Sequence, residues 1–209
     1  MADTTPNIAL VVLAAGASSR MGSPKQLLKW GNTTLVEYAI NTAKATSANK
    51  VFVVLGAHQN RIAKVIQHHS VSILNNKKWE DGLGTSIACA SEFILNSNEN
   101  SKENFDGILI MLADQPFVSS DFLNRLIGNF ILDTKSIIAT SYGKNKYGVP
   151  SLFDASYLKE LSNLNTDFGA RELLKKHKNS IKTVLPDFEN LDIDTKEDYQ
   201  YLKSKNIKD

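Results

Sequence analysis

The sequence predicts an α/β fold built on a mainly parallel sheet. Short, continuous apolar runs recur along the 209 residues, longer segments of helical period lie between them, and two chemically unusual loops fall where such runs end. Runs that are apolar throughout mark strands buried on both faces, and strand–helix alternation joins parallel strands through right-handed crossovers.

The first run, "NIALVVLA" (7–14), hands over to the loop "LAAGASSRMGSPKQLL" (13–28) and then to a helix over "TTLVEYAINTAKAT" (33–46). "KVFVVLG" (50–56) and "VSILN" (71–75) read as the next strands, with a helix over "HQNRIAKVIQHH" (58–69) between them. A helix over "TSIACASEFILN" (85–96) leads to the strand "GILIMLA" (107–113), whose end carries the second unusual loop, "ADQP" (113–116). "SSDFLNRLIGNFIL" (119–132) reads as a helix with Ser119 or Ser120 at its N-cap, and "SIIATSY" (136–142) as a strand leading into a hairpin or loop, "YGKNKYG" (142–148). Two further helices, "YLKELSNL" and "ARELLKKH", a strand "IKTVLP", and an acidic turn opening a terminal helix, "DIDTKEDYQYLKSK", complete the chain. The polar stretch "NSNENSKEN" (96–104) reads as a surface loop inside one domain, 1–209, because the β/α pattern resumes after it.

Composition narrows the function. A net charge of +2 is too small to advertise a nucleic-acid or anionic-membrane partner. The single cysteine, Cys89, excludes an internal disulfide and suits a reducing compartment. "MADTTPN" lacks the basic segment of a signal peptide, and no apolar run approaches the roughly 20 residues of a membrane span, so a cytoplasmic protein is expected.

Ligands of open α/β sheets bind beyond the carboxyl ends of the strands, where both unusual loops fall. In the first, glycines allow main-chain N–H groups to converge on an anion, while Arg20 and Lys25 add a fork and a mobile point charge suited to phosphate. It is neither a Walker loop, because Ser23 follows Gly22 where that pattern needs lysine, nor a dinucleotide loop, because position 18 is not glycine. The string closely resembles L-A-A-G-x-S-x-R-M-G-x-P-K, the opening motif of the nucleotidyltransferases related to molybdenum cofactor cytidylyltransferase, within the wider sugar-nucleotide pyrophosphorylase-like superfamily. The resemblance implies a three-layer α/β/α Rossmann-like fold in which Gly16, Arg20, Gly22 and Lys25 contact the triphosphate and Ala14 and Ala15 lie near the base. Relatives using GTP tend to carry glycine where this chain has Ala15, so CTP is expected.

Departing pyrophosphate calls for Mg2+ held by one or two carboxylates. Asp114 ends an apolar strand, where an acid is out of character, and "ADQP" resembles the family's second motif, whose aspartate is a metal ligand. "DIDTKED" (192–198) resembles the motif supplying a second metal ligand; Asp194 aligns best and Asp192 is the reserve, although Asp194 or Thr195 would also serve as a helix cap. "WEDGLGTSI" (79–87) looks like the family's G-[LM]-x-x-S loop, which makes Gly82, Gly84, Thr85 and above all Ser86 candidates for the nucleotide pocket. "GVPSLF" (148–153) resembles a segment near the acceptor, with Val149 where many relatives have histidine, and "TDFGAR" (166–171) resembles G-D-x-G-A-R with Thr166 for its first glycine.

Other residues read as structural. His68 and His69 are neighbours that a regular helix or strand would point apart, and are expected at the surface without zinc. His58 reads as a helix-start residue, Cys89 as packing, and Trp30 and Trp79 as packing rather than base-stacking platforms. The reaction implied is transfer of CMP from CTP to molybdopterin, or its molybdenum-loaded form, with release of pyrophosphate and a molybdoenzyme or its chaperone as recipient. Alternatives are another phosphorylated acceptor, such as a sugar or alditol phosphate, or a redox or nucleotide-binding protein on the same scaffold.

Overall fold

A computed structural model describes residues 5–100, 103–132, 134–144, 146–165, 167 and 169–206. The first half of the chain forms β1 (Ile8–Leu13), a two-stranded hairpin of β2 (Lys29–Trp30) and β3 (Thr33–Thr34), α1 (Leu35–Lys44), β4 (Lys50–Leu55), α2 (Gln59–Ile66), β5 (Ser72–Asn75) and α3 (Leu83–Glu99). The second half forms β6 (Gly107–Leu112), α4 (Ser120–Gly128), β7 (Ile137–Ser141), β8 (Tyr147–Asp154), α5 (Leu158–Leu161), α6 (Arg171–Lys176), β9 (Ile181–Val184) and α7 (Lys196–Asn206). Seven strands make one sheet in the order β5-β4-β1-β6-β8-β7-β9, with β8 antiparallel to both its neighbours and the remaining pairs parallel.

The apolar runs are buried on both faces because successive side chains alternate across the sheet. Ile8, Leu10 and Val12 of β1 join a core with α1, α2 and α4, through residues such as Ile40, Ile62 and Phe122. Ala9, Val11 and Leu13 face the opposite core with α3, α5 and α6, through Ile87, Leu158 and Leu173. The result is three layers. After β1 the chain builds outward through β4 and β5, then returns to the other side of β1 with β6. The carboxyl ends of β1 and β6 therefore flank the point where strand order reverses, the place at which such sheets open a crevice. A third, smaller core beyond those ends gathers Met21 of the first loop, Trp30, Leu35, Ile193 and Leu202 of α7. No described helix is long and apolar enough to cross a membrane.

Local chemistry sets several boundaries. Thr34 caps α1 in a reciprocal box, accepting from the Glu37 N–H while the Glu37 carboxylate accepts from the Thr34 N–H. The Ser119 side chain caps α4 by accepting from the Phe122 N–H. Where "NSNENSKEN" predicts a loop, α3 continues through Glu99, and the Asn98 amide both donates to and accepts from the Phe105 main chain. High polarity there reports exposure, not loss of helix; Ser101 and Lys102 lie outside the described residues. "GVPSLF" is part of β8, a strand its proline obscures in the sequence. The β7–β8 register slips between Ala139–Ser151 and Thr140–Gly148, so Val149 and Pro150 sit in the bulge and the missing proline N–H breaks no ladder bond.

His68 and His69 do not diverge. They occupy the turn after α2, where regular side-chain directions no longer apply, and their rings lie 4.2 Å apart. Both approach Glu37 Oε1, at 3.5 and 3.7 Å, and the His69 side chain is 9% exposed, so His69 is not a surface residue. Trp30 is buried and meets Tyr38 and Phe117 edge-on. Replacing the buried Leu202 by alanine opens a cavity in the small core under the first loop; a stability loss of about 2–5 kcal/mol is expected in urea unfolding.

Candidate active site

The loop after β1 is held open by its own side chains and main chain. The Ala14 N–H donates to the Val54 carbonyl and the Ala57 N–H to the Ala15 carbonyl, which pins the two alanines between β1 and β4. Ser18 and Gly22 take left-handed conformations, φ 56° and 69°, on either side of a single 3-10 turn, Ser19–Met21. Gln26, buried, is the strut: its Nε2 donates to the Ala14 carbonyl at 3.1 Å and the Gly16 carbonyl at 2.8 Å. His58 Nε2 lies 3.1 Å from the Ala17 carbonyl and braces the same loop from outside. With those carbonyls engaged, the loop presents Gly16 and Lys25 to a cleft of about 340 Å³.

Opposite stand three carboxylates. Lys25 Nζ lies 2.5 Å from Asp114 Oδ2 and 2.8 Å from Asp194 Oδ1, with the Lys25 and Asp114 side chains largely buried. Burial alone would lower the Lys25 pKa, but the charges and hydrogen bonds of Asp114 and then Asp194 hold it above its ordinary value. Asp114 Oδ1 is buried without a partner among the described residues. Asp192 is the third acid of the cleft; burial first and the Asp114 charge second raise its pKa, against a hydrogen bond donated by Gln115 Nε2 at 2.9 Å. One ammonium against three carboxylates leaves two negative charges in excess when all are ionised, together with an orphaned carboxylate oxygen. That donor set fits a divalent cation with oxygen preference.

Asp194 is free to face the cleft because its neighbours do the capping. Thr195 Oγ1 accepts from the Asp198 N–H, and Asp198 Oδ2 accepts from the Thr195 N–H in return. The Ile193 N–H donates to the Asp114 carbonyl at 3.0 Å, which joins the two acidic segments through the backbone.

The third wall comes from the turn before α3. Buried Asn76 donates to Thr85 Oγ1 at 2.9 Å and Ser86 Oγ at 3.0 Å, and Thr85 donates back toward the Lys78 and Gly82 carbonyls. Ser86, Gly82 and Trp79 line the cleft. Gly82 has φ 105°, and a Cβ there would lie 2.8 Å from the Asp167 Cα, so glycine alone fits. Thus Asp167 buttresses the turn before α3; Thr166 and Phe168 lie outside the described residues.

A second cavity has a volume of about 870 Å³. Tyr142, Tyr147 and Leu174 contribute to its walls, with the cations of Lys146, Arg171, Lys175 and Lys178. Among the described residues, none of these four makes an ion pair. Asn190 on its wall accepts through Oδ1 from the same Gln115 Nε2 that holds Asp192 of the cleft.

Of the sequence candidates, Ala14, Ala15, Gly16, Lys25, Gly82, Ser86, Asp114, Asp192 and Asp194 line one cleft. Arg20 does not line it: its side chain is 74% exposed and 3.9 Å from Asp194, at the rim. Gly22 ends the Ser19–Met21 turn in a left-handed conformation and does not line the cleft. Gly84 and Thr85 are buried behind the wall. Val149 belongs to β8, where its carbonyl accepts from the Tyr142 hydroxyl. Sequence reasoning missed Gln26, Asn76 and Gln115, ordinary amides whose importance comes from burial against loop carbonyls and carboxylates. Trp79, read as packing, does pack on the core but also lines the cleft.

Comparison with known proteins identifies a nucleotidyltransferase. The chain matches the MobA-like NTP transferase domain over residues 10–181 and belongs to that family. It is similar to the purine catabolism protein PucB of Bacillus subtilis, at 30% identity over 213 residues, covering 95% of this chain and 97% of PucB. The bifunctional protein GlmU of Buchnera aphidicola is 30% identical over 148 residues, 70% of this chain, but the match spans only 30% of GlmU. The crystal structure of Rv0371c from Mycobacterium tuberculosis superposes with a TM-score of 0.81 at 27% identity, covering 96% of this chain and 99% of that one; Rv0371c has also been crystallised in complex with manganese.

The raised Asp192 pKa has a sign. Folding favours the protonated acid, so the stability it contributes is fully present below its ordinary 3.8 and is lost as pH rises through the higher folded value. Asp192→Asn keeps the acceptor for Gln115 without the charge. Without added metal, it is expected to unfold at higher urea than the parent at pH 7, and the difference should shrink toward pH 3.

Proposed function

We propose that this chain, as one nucleotidyltransferase domain over 1–209 working in the cytoplasm, transfers CMP from CTP to molybdopterin or its molybdenum-loaded form, releasing pyrophosphate. The observation carrying the reading is the Lys25 ammonium set between Asp114 and Asp194 at the mouth of a glycine loop. That arrangement supports a phosphate-binding role for Lys25 and a metal-holding role for the carboxylate pair.

Gly16 and the loop N–H groups would receive the triphosphate, with Arg20 closing from the rim and Lys25 shifting from the carboxylates to the phosphoryl oxygens. Asp114 and Asp194, with Asp192 in reserve, would hold Mg2+, which supplies charge neutralisation to the triphosphate; the manganese complex of Rv0371c supports a divalent cation in this family. Ala14, Ala15 and Trp79 would flank the base, and Ala15 supports CTP over GTP, as the resemblance implies. Gly82 and Ser86 would line the nucleotide on the other side.

An acceptor phosphate oxygen attacks the α-phosphorus. A bond forms there as the bond to the β-phosphate bridging oxygen breaks, and pyrophosphate leaves in line. The attacking oxygen is already ionised, so positioning and charge stabilisation dominate and no base is needed. The four-cation cavity with Asn190 on its wall supports an anionic acceptor with a flat, ring-bearing body that Tyr142 and Tyr147 can cover. The finished product would pass to a molybdoenzyme or its chaperone.

Pyrophosphate release tests the assignment. Asp114→Ala and Lys25→Ala should each lower kcat by roughly 10²–10³-fold with CTP and Mg2+; rates near the parent's in both would refute the roles. Arg171→Ala combined with Lys175→Ala should raise the KM for the acceptor about 10-fold or more and leave the KM for CTP unchanged, as expected for cations that act on one substrate only. A panel of the four NTPs against molybdopterin and sugar phosphates separates this reaction from its alternatives.

A further inference from the structure

Outside the cleft, the turn after α2 and the first turn of α1 bring together three side chains that the transfer reaction does not use. Glu37 Oε2 is satisfied by the Thr34 N–H at 2.9 Å and the Thr34 hydroxyl at 2.8 Å. Its other oxygen, Oε1, points to His68 Nε2 at 3.5 Å and His69 Nε2 at 3.7 Å. Neither separation is a hydrogen bond, and His69 Nε2 is buried with no partner among the described residues, its side chain being 91% removed from solvent. Buried polar atoms are nearly always satisfied, so this one needs an explanation.

The three donor atoms lie within 4.8 Å of one another. Around a tetrahedral ion with bonds of about 2.0–2.1 Å, neighbouring donors stand about 3.3 Å apart. Small side-chain movements therefore close this triangle on an ion. Two imidazole nitrogens and one carboxylate oxygen suit zinc and its neighbours, whereas magnesium prefers oxygen donors throughout. Burial, then His68 and the nearby Lys44, act to keep His69 uncharged, the form that ligates, against the pull of Glu37. Because Glu37 Oε2 is already fixed by the helix cap, Oε1 is oriented before any ion arrives, as supporting hydrogen bonds do for metal ligands generally.

We propose that Glu37, His68 and His69 bind one divalent transition-metal ion of the zinc class, at a site separate from the Asp114 carboxylates, with water completing the shell. The ion would clip the start of α1 to the turn that follows α2.

Cobalt is the probe, because its visible absorption reports coordination directly. The full-length, metal-stripped protein, titrated with Co2+ in the absence of nucleotide, should bind one equivalent with the intense visible bands of four- or five-coordination. Equimolar Zn2+ should displace it and millimolar Mg2+ should not. His68→Ala removes an exposed side chain, and Glu37→Gln preserves a residue suited to the capping box, so both variants should fold. Each should weaken Co2+ by more than the roughly 10–100-fold typical of losing an outer-shell partner. Asp114→Asn should retain the spectrum, and His68→Ala should release pyrophosphate from CTP with Mg2+ at the parent rate. Failure of the transfer reaction would leave the cobalt result standing, so the two readings fail separately. Cobalt bands that survive His68→Ala and Glu37→Gln, bands lost in Asp114→Asn, or no stoichiometric binding would each overturn the proposal.

Discussion

The structure turns on one contact across the crevice, the Lys25 ammonium held by Asp114 and Asp194. Three parts of the chain far apart in sequence must arrive together for it to form. Lys25 comes from the loop after β1, Asp114 from the end of β6, and Asp194 from the approach to α7. The first two meet because β1 and β6 are sheet neighbours on either side of the reversal in strand order. The third is brought in by the Ile193 backbone bond to Asp114 and by the small core in which Ile193 and Leu202 cover Met21. The contact also lets the loop's cation and the acids partly satisfy each other; in the proposed reaction, a metal and a polyphosphate would exchange partners with them.

Most of the surrounding framework is made of amides. Gln26 engages the loop carbonyls, Asn76 fixes the hydroxyls of the α3 turn, and Gln115 ties Asp192 to Asn190. Neutral donors of this kind orient loops and acids without adding charge, which leaves the electrostatic balance of the cleft to Lys25 and the carboxylates, with Arg20 at the rim. A buried amide with a unique set of partners fixes geometry more strictly than an apolar side chain of the same volume, since losing one partner leaves a polar atom unsatisfied.

How far the sequence revealed this architecture depended on whether a signal was local. The strands of the parallel half were legible from their apolar runs, and the Gly/Ser/Lys loop and Asp114 from residue types foreign to their positions. β8 was hidden because Pro150 interrupts a strand pattern, and only the bulge opposite Ala139 and Thr140 accommodates it. The end of α3 was misjudged because polarity marks solvent and not backbone conformation. The choice among Asp192, Asp194 and Thr195 was open because capping and ligation use the same residue types; the Thr195–Asp198 box assigns the cap. His68 is exposed as expected, but His69 was misread because adjacency in sequence says nothing about a turn, where both rings can face Glu37. Gln26, Asn76 and Gln115 carried no sequence signal, since an amide's role is set by what burial places around it.

Anomalous diffraction from crystals grown with Mn2+ and a non-hydrolysable CTP analogue tests the central claim most directly. A manganese peak is expected between Asp114 and Asp194, with the triphosphate against Gly16 and Lys25 Nζ moved from the carboxylates onto a phosphoryl oxygen. A nucleotide bound elsewhere, or a triphosphate in the cleft with Lys25 still locked between the two aspartates and no metal beside them, would contradict it.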